Sequence, residues 1–128
     1  MKTSSAKAKG RKLQDWVKSK ILDYFHKCYG SDEYDDLVTT ATMGEMGADV
    51  RLVGEAGRKF PFSIECKNQE KFSGIYNIID QARNHSRFPP LAFIKMNRKP
   101  PLVMLEAEEF FKHYFRYKES INETTKEV

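Results

Sequence analysis

The sequence predicts an α/β fold, a mixed central sheet flanked by helices, and three observations lead there. Apolar residues recur at helical spacing near both ends and once in the middle. Between those stretches lie short runs that alternate or are rich in β-branched residues. Glycine pairs and a proline pair punctuate the change from one period to the other. At 128 residues and 14.9 kDa the chain has room for one domain and a substantial core.

From Leu13 the apolar positions fall at 13, 16, 17, 21, 24, 25 and 28, which spaces one face of a helix, and Gly30 supplies a stop signal. Residues 30–36 read as a polar loop, 37–40 as a short strand, and 42–47 as a second loop with two glycines. Strands are expected over 48–53 and 60–67, folded into a hairpin about Gly57. Phe72, Ile75, Tyr76, Ile79 and Ala82 return to helical spacing, so a second helix is expected over about 72–85, ending before Pro89 and Pro90. Strands over 91–96 and 102–105 follow, joined by a turn at 97–101. Phe110, Phe111, Tyr114 and Phe115 mark a last amphipathic helix. Its aromatic stripe and Trp16 are assigned to the core, with a dimer interface as the alternative for the stripe.

Charge is uneven. The formal net charge is +4, yet the first 30 residues carry eight basic side chains against two acidic ones, and the remainder is slightly acidic. Such a leading segment is either a polyanion-binding arm or a solubilising tail. Residues 1–10 are read as a basic disordered arm and 119–128 as a frayed tail. No apolar run approaches the length of a membrane span, and two cysteines make neither a disulfide framework nor a four-cysteine metal site. A cytoplasmic protein with no membrane association is the expectation.

The chemistry concentrates between residues 47 and 67. In the run 60–67, Phe60, Phe62, Ile64 and Cys66 alternate with Pro61, Ser63, Glu65 and Lys67, so Glu65 and Lys67 share one face. A hairpin about Gly57 sets Val53 opposite Pro61, Arg51 opposite Ser63 and Asp49 opposite Glu65. Directly opposed carboxylates repel unless a proton or cation lies between them. Mg²⁺, or Mn²⁺ in its place, is the expected occupant, since Mg²⁺ takes one or two carboxylates and fills its other positions with water and phosphate oxygens. Lys67 would hold or help deprotonate an attacking water and offset charge building on phosphorus.

Gly47-Ala48-Asp49-Val50 followed by Ile64-Glu65-Cys66-Lys67 resembles the PD-(D/E)xK nuclease superfamily. Within it the layout is similar to Holliday junction resolvases of the archaeal and phage type. The similarity runs from about Lys9 to Met96 and is strongest between Gly44 and Glu70. It implies a restriction-endonuclease-like fold, with a single nuclease domain over 11–118. The implied activity is metal-dependent endonuclease cleavage of branched DNA by a homodimer, in a prokaryotic or phage-infected cell. Asp49 and Glu65 would be metal ligands with the Cys66 backbone carbonyl, and Lys67 the catalytic lysine. The family's first-helix glutamate is replaced here by Gln14, which brings no charge. Asp15 and Glu45 are candidates to take its place, Glu45 foremost. Gln81 resembles a glutamine found on the following helix in many members. Lys9, Arg11, Lys12, Gln14, Thr42, Arg83, Arg87, Arg98 and Lys99 are the expected DNA contacts. His26, His85 and His113 show no ligand spacing and are read as core or surface residues.

Overall fold

A computed structural model describes residues 3–42, 46–72 and 74–127. Helix α1 (Thr3–Tyr29) leads through a 3-10 turn (Asp35–Leu37) into β1 (Val38–Thr40) and β2 (Val50–Leu52). The short helix α2 (Gly54–Lys59) precedes β3 (Ser63–Asn68). Then come α3 (Ile75–His85), β4 (Pro90–Lys95), β5 (Leu102–Met104) and α4 (Ala107–Glu127). The five strands form one mixed sheet in the order β1-β2-β3-β4-β5, antiparallel throughout except where β3 runs parallel to β4. The chain is thus an α/β domain whose sheet is flanked by helices.

The central strand explains the layering. Successive side chains of β3 point to opposite faces. Ile64 and Cys66 join Leu13, Val17, Ile21 and Phe25 of α1 in one core, together with Val38 and Val50. Ser63 and Glu65 face the other way, toward α3, where Ile78 and Ile79 pack on Ala92. Ser63 Oγ donates to the Ala82 carbonyl at 2.5 Å and ties α3 to the sheet. The parallel β3–β4 pair needs a crossover, and α3 supplies it.

Several boundaries differ from expectation for identifiable reasons. The glycines at 54 and 57 signal a turn, yet residues 54–59 are helical. Ala56 is buried, and a Cβ on Gly57 would come within 2.9 Å of the Leu52 carbonyl oxygen. Gly57 therefore serves close packing rather than a hairpin bend. The segment read as a disordered arm is helical from Thr3. Part of it is anchored, since Lys9 Nζ donates to Asn97 Oδ1 at 3.0 Å and Asn68 Nδ2 reaches the Lys9 carbonyl at 3.5 Å. Residues 119–127, read as a frayed tail, continue α4, as their lysine and glutamate content permits. The aromatic stripe of α4 is not core. Phe110, Phe111, Tyr114 and Phe115 are 44–57% exposed, and Trp16 is also exposed.

Ile64 is fully buried between α1 and the sheet. Truncation to Ala leaves a cavity in the layer that supports the whole central strand. Ile64→Ala should lower unfolding free energy by about 3 kcal/mol, measured by urea denaturation.

Candidate active site

Asp49 stands at the start of β2, delivered by a loop whose shape depends on Gly47. That glycine has φ +110°, and a Cβ there would lie 2.9 Å from the Arg51 guanidinium. Arg51 turns back on the loop, donating through Nε to the Ala48 carbonyl at 3.1 Å and through Nη2 to the Met46 carbonyl. The Asp49 backbone is paired on both sides. Its N–H donates to the Ile64 carbonyl and its carbonyl accepts from Ala41, each at 2.9 Å. Val50 registers on Ile64, the register expected from the sequence even though a helix rather than a tight turn joins the strands.

That register puts Asp49 beside Glu65. Asp49 Oδ2 accepts the Cys66 N–H at 2.8 Å. The N–H and C=O of one strand residue leave by the same edge. The Cys66 carbonyl therefore also faces the β2 edge, the side from which Asp49 approaches. Glu65 is 3% exposed. Burial, then the charge of Asp49, then a hydrogen bond between the two carboxyl groups push its pKa up to about 8, with Lys67 pulling the other way. Near neutrality Glu65 thus keeps its proton beside Asp49. Cys66, buried and flanked by the same acids, has its thiol pushed up as well, so it is inert.

One participant was not legible as such. His85, at the end of α3, brings Nδ1 to 2.9 Å from Glu65 Oε1. The residue lies 20 positions from Glu65 in sequence, and only the packing of α3 on β3 joins them. Gln81, the α3 residue singled out by resemblance, is exposed one turn before His85. Among the described residues no hydrogen bond links Gln81 to Asp49 or Glu65. Gln14 is half-buried on α1, Asp15 is exposed there, and Glu45 lies outside the described residues.

The basic residues divide. Lys9, Lys12 and Arg98 line one cleft of about 530 Å³ together with Lys95. Lys99 is exposed at the same β4–β5 turn, and Arg11 is exposed on α1. Arg83 instead pairs with Glu106 at 2.8 Å, beside a separate groove between α3 and the start of α4. The Arg87 guanidinium sits 5.9 Å from the Phe88 ring, and Thr42 is exposed in the loop ahead of Asp49.

Chemically, the centre offers two juxtaposed carboxyl groups, a backbone carbonyl at their edge, and an ammonium two residues along the strand. Among the described residues no group of three or more His, Cys, Asp or Glu side chains is arranged to hold a metal ion. A buried, protonated glutamate beside a half-buried aspartate is nonetheless a fitting seat for a hard divalent cation, which needs few protein ligands when substrate supplies the rest. The fold and site define an α/β domain with an acid pair and lysine on its central strands. No protein-family model, curated protein or solved structure matches the chain. No helix among the described residues is long and apolar enough to cross a membrane.

The electrostatics have a measurable consequence in metal-free protein. A carboxyl whose folded pKa is raised keeps its proton in the native state while the unfolded chain loses it. Stability therefore falls as pH rises from about 4.5 toward 8. His26, whose pKa is raised chiefly by its hydrogen bond to Asp35, adds stability at low pH that is also lost as pH rises through its folded value. The difference between wild type and Glu65→Gln isolates the first effect. Thermal unfolding in EDTA should show wild type losing stability over this range more steeply than Glu65→Gln.

Proposed function

We propose that the chain is a metal-dependent DNA endonuclease of restriction-endonuclease-like fold, selective for branched DNA such as four-way junctions. The observation that carries the reading is buried Glu65 held against the half-buried Asp49 carboxyl, with Lys67 two residues further along the same face of β3. Strand pairing alone does not require a second acid against a buried glutamate, and the arrangement is unfavourable until a cation replaces the Glu65 proton.

In this reading Asp49, Glu65 and the Cys66 carbonyl hold Mg²⁺, with Mn²⁺ able to substitute. The ion supplies Lewis-acid polarisation of the phosphodiester and activation of water. The residues of the chain do the rest. The Cys66 N–H fixes one Asp49 oxygen, which sets how its carboxylate is presented. His85 orients Glu65 through Oε1. Lys67 positions the attacking water and offsets negative charge developing on the phosphoryl oxygens.

Cutting two strands of a junction symmetrically calls for two sites related by a two-fold axis. The exposed aromatic stripe of α4 is the face assigned to a second copy of this chain. Sedimentation velocity at micromolar concentration should give a dimer, and Phe111→Glu with Phe115→Glu a monomer. A wild-type monomer would remove this assignment.

The activity test uses a labelled four-way junction, incubated with Mg²⁺ or with EDTA. Wild type should cleave with Mg²⁺ alone. Asp49→Asn and Lys67→Ala should each lose about 10³-fold in rate while still binding the junction. Linear duplex and flap substrates, cut more slowly, establish the preference for branches. Junction binding without Mg²⁺-dependent cleavage would instead identify a non-catalytic DNA-binding protein.

A further inference from the structure

The cleft between the start of α1 and the β4–β5 turn carries four cations, Lys9, Lys12, Lys95 and Arg98, and no acid among its lining residues. A patch of surface lysines alone would say little, but this one is built. Glu70 Oε1 accepts from Asn97 Nδ2 at 2.6 Å, which turns Asn97 Oδ1 toward Lys9 Nζ at 3.0 Å. That bond uses one of the three ammonium donors. The ammonium is therefore positioned with donors to spare. Arg98 occupies the turn with φ +62°, a conformation that favours glycine or asparagine, yet an arginine stands there.

One further feature distinguishes the cleft from a phosphate-binding patch. Trp16, 40% exposed, forms part of the wall, and the Lys20 ammonium lies 5.6 Å from its ring centroid. Cations and an indole together match phosphate and base face. An intact duplex presents only the first of these outward.

We propose that this cleft seats one unstacked nucleotide of a DNA strand, its phosphate on Arg98, Lys95 and Lys12 and its base against Trp16. The inference rests on DNA as the ligand of the proposed nuclease, and it specifies the substrate as DNA with a splayed or single-stranded nucleotide. Asn68 lies on the face of β3 opposite Glu65 and Lys67, so the seat grips the strand away from the carboxyl pair.

Trp16 is the sole tryptophan, so its emission reports on this cleft directly. The full chain, held in EDTA, is titrated with a thymidine hexanucleotide, with a blunt duplex at equal phosphate concentration, and with orthophosphate. The oligonucleotide should quench Trp16 emission, and duplex and orthophosphate should leave it largely unchanged. By anisotropy of the labelled oligonucleotide, Trp16→Leu should weaken binding about tenfold, whereas Trp16→Phe retains most of it. Arg98→Gly suits the backbone of the turn and should lower the salt slope of binding by about 0.7. Wild type that binds the oligonucleotide in this way yet cleaves no junction with Mg²⁺ would overturn the nuclease reading alone. Equal binding of duplex and oligonucleotide with unchanged Trp16 emission would overturn the seat. So would a full quench by orthophosphate.

Discussion

A buried glutamate held against a second, half-buried carboxyl is the constraint around which the rest of this domain is arranged. Asp49 and Glu65 meet because Val50 registers on Ile64, and the Cys66 N–H then secures the aspartate. Slipping that register by one residue would carry Glu65 into the α1 core and bring Ile64 to the α3 side. The register is protected from both directions. Ile64 is fully buried against α1, and Ser63 is bonded to the backbone of α3. The apolar packing therefore holds an electrostatically unfavourable arrangement that the carboxyl groups would not adopt on their own.

Burial on both faces is what makes the pair chemically distinctive. On a half-exposed hairpin, water would screen the two acids and each would titrate nearly normally. Here α3 covers the face that carries Glu65, so desolvation becomes the largest influence on it and the charge of Asp49 the next. His85 enters through the same covering helix. The element that closes the sheet thus both raises the proton affinity of Glu65 and supplies the side chain that orients it. A divalent cation at this position would relieve the repulsion that the fold imposes, which is why the proposed activity and the local instability have one origin.

How much of this could be read from the sequence depends on the range of the interaction involved. The alternation of residues 60–67 is local, and it placed Ile64 and Cys66 opposite Glu65 and Lys67 correctly. The pairing of Asp49 with Glu65 followed from counting residues across a presumed turn, and the register is right although the connection is the helix α2. The glycines misled there because a glycine permits close packing as well as tight turning, and only tertiary structure distinguishes the two. His85 was invisible because a long-range contact leaves no local spacing. The aromatic stripe of α4 has helical periodicity, but periodicity reports that a face is apolar and not which surface covers it. Residues 3–10 showed a composition typical of disorder, while the contacts through Lys9 lie 59 and 88 positions away.

The placement of charge along β3 links the two regions of interest. Glu65, Lys67 and Asn68 follow one another on a single rigid strand, spanning about 10 Å from the first to the last at the usual strand rise. Alternation sends Glu65 and Lys67 to the α3 side and Asn68 to the α1 side, where Lys9 and the β4–β5 turn converge. A DNA strand engaged by both would have to pass around the carboxyl end of β3 from one face of the sheet to the other. A continuous stacked duplex resists such a change of direction over so short a length, because its persistence length is about 150 base pairs. A strand interrupted by a branch does not. The geometry of one strand, rather than any base contact, would then be the source of a preference for branched substrates.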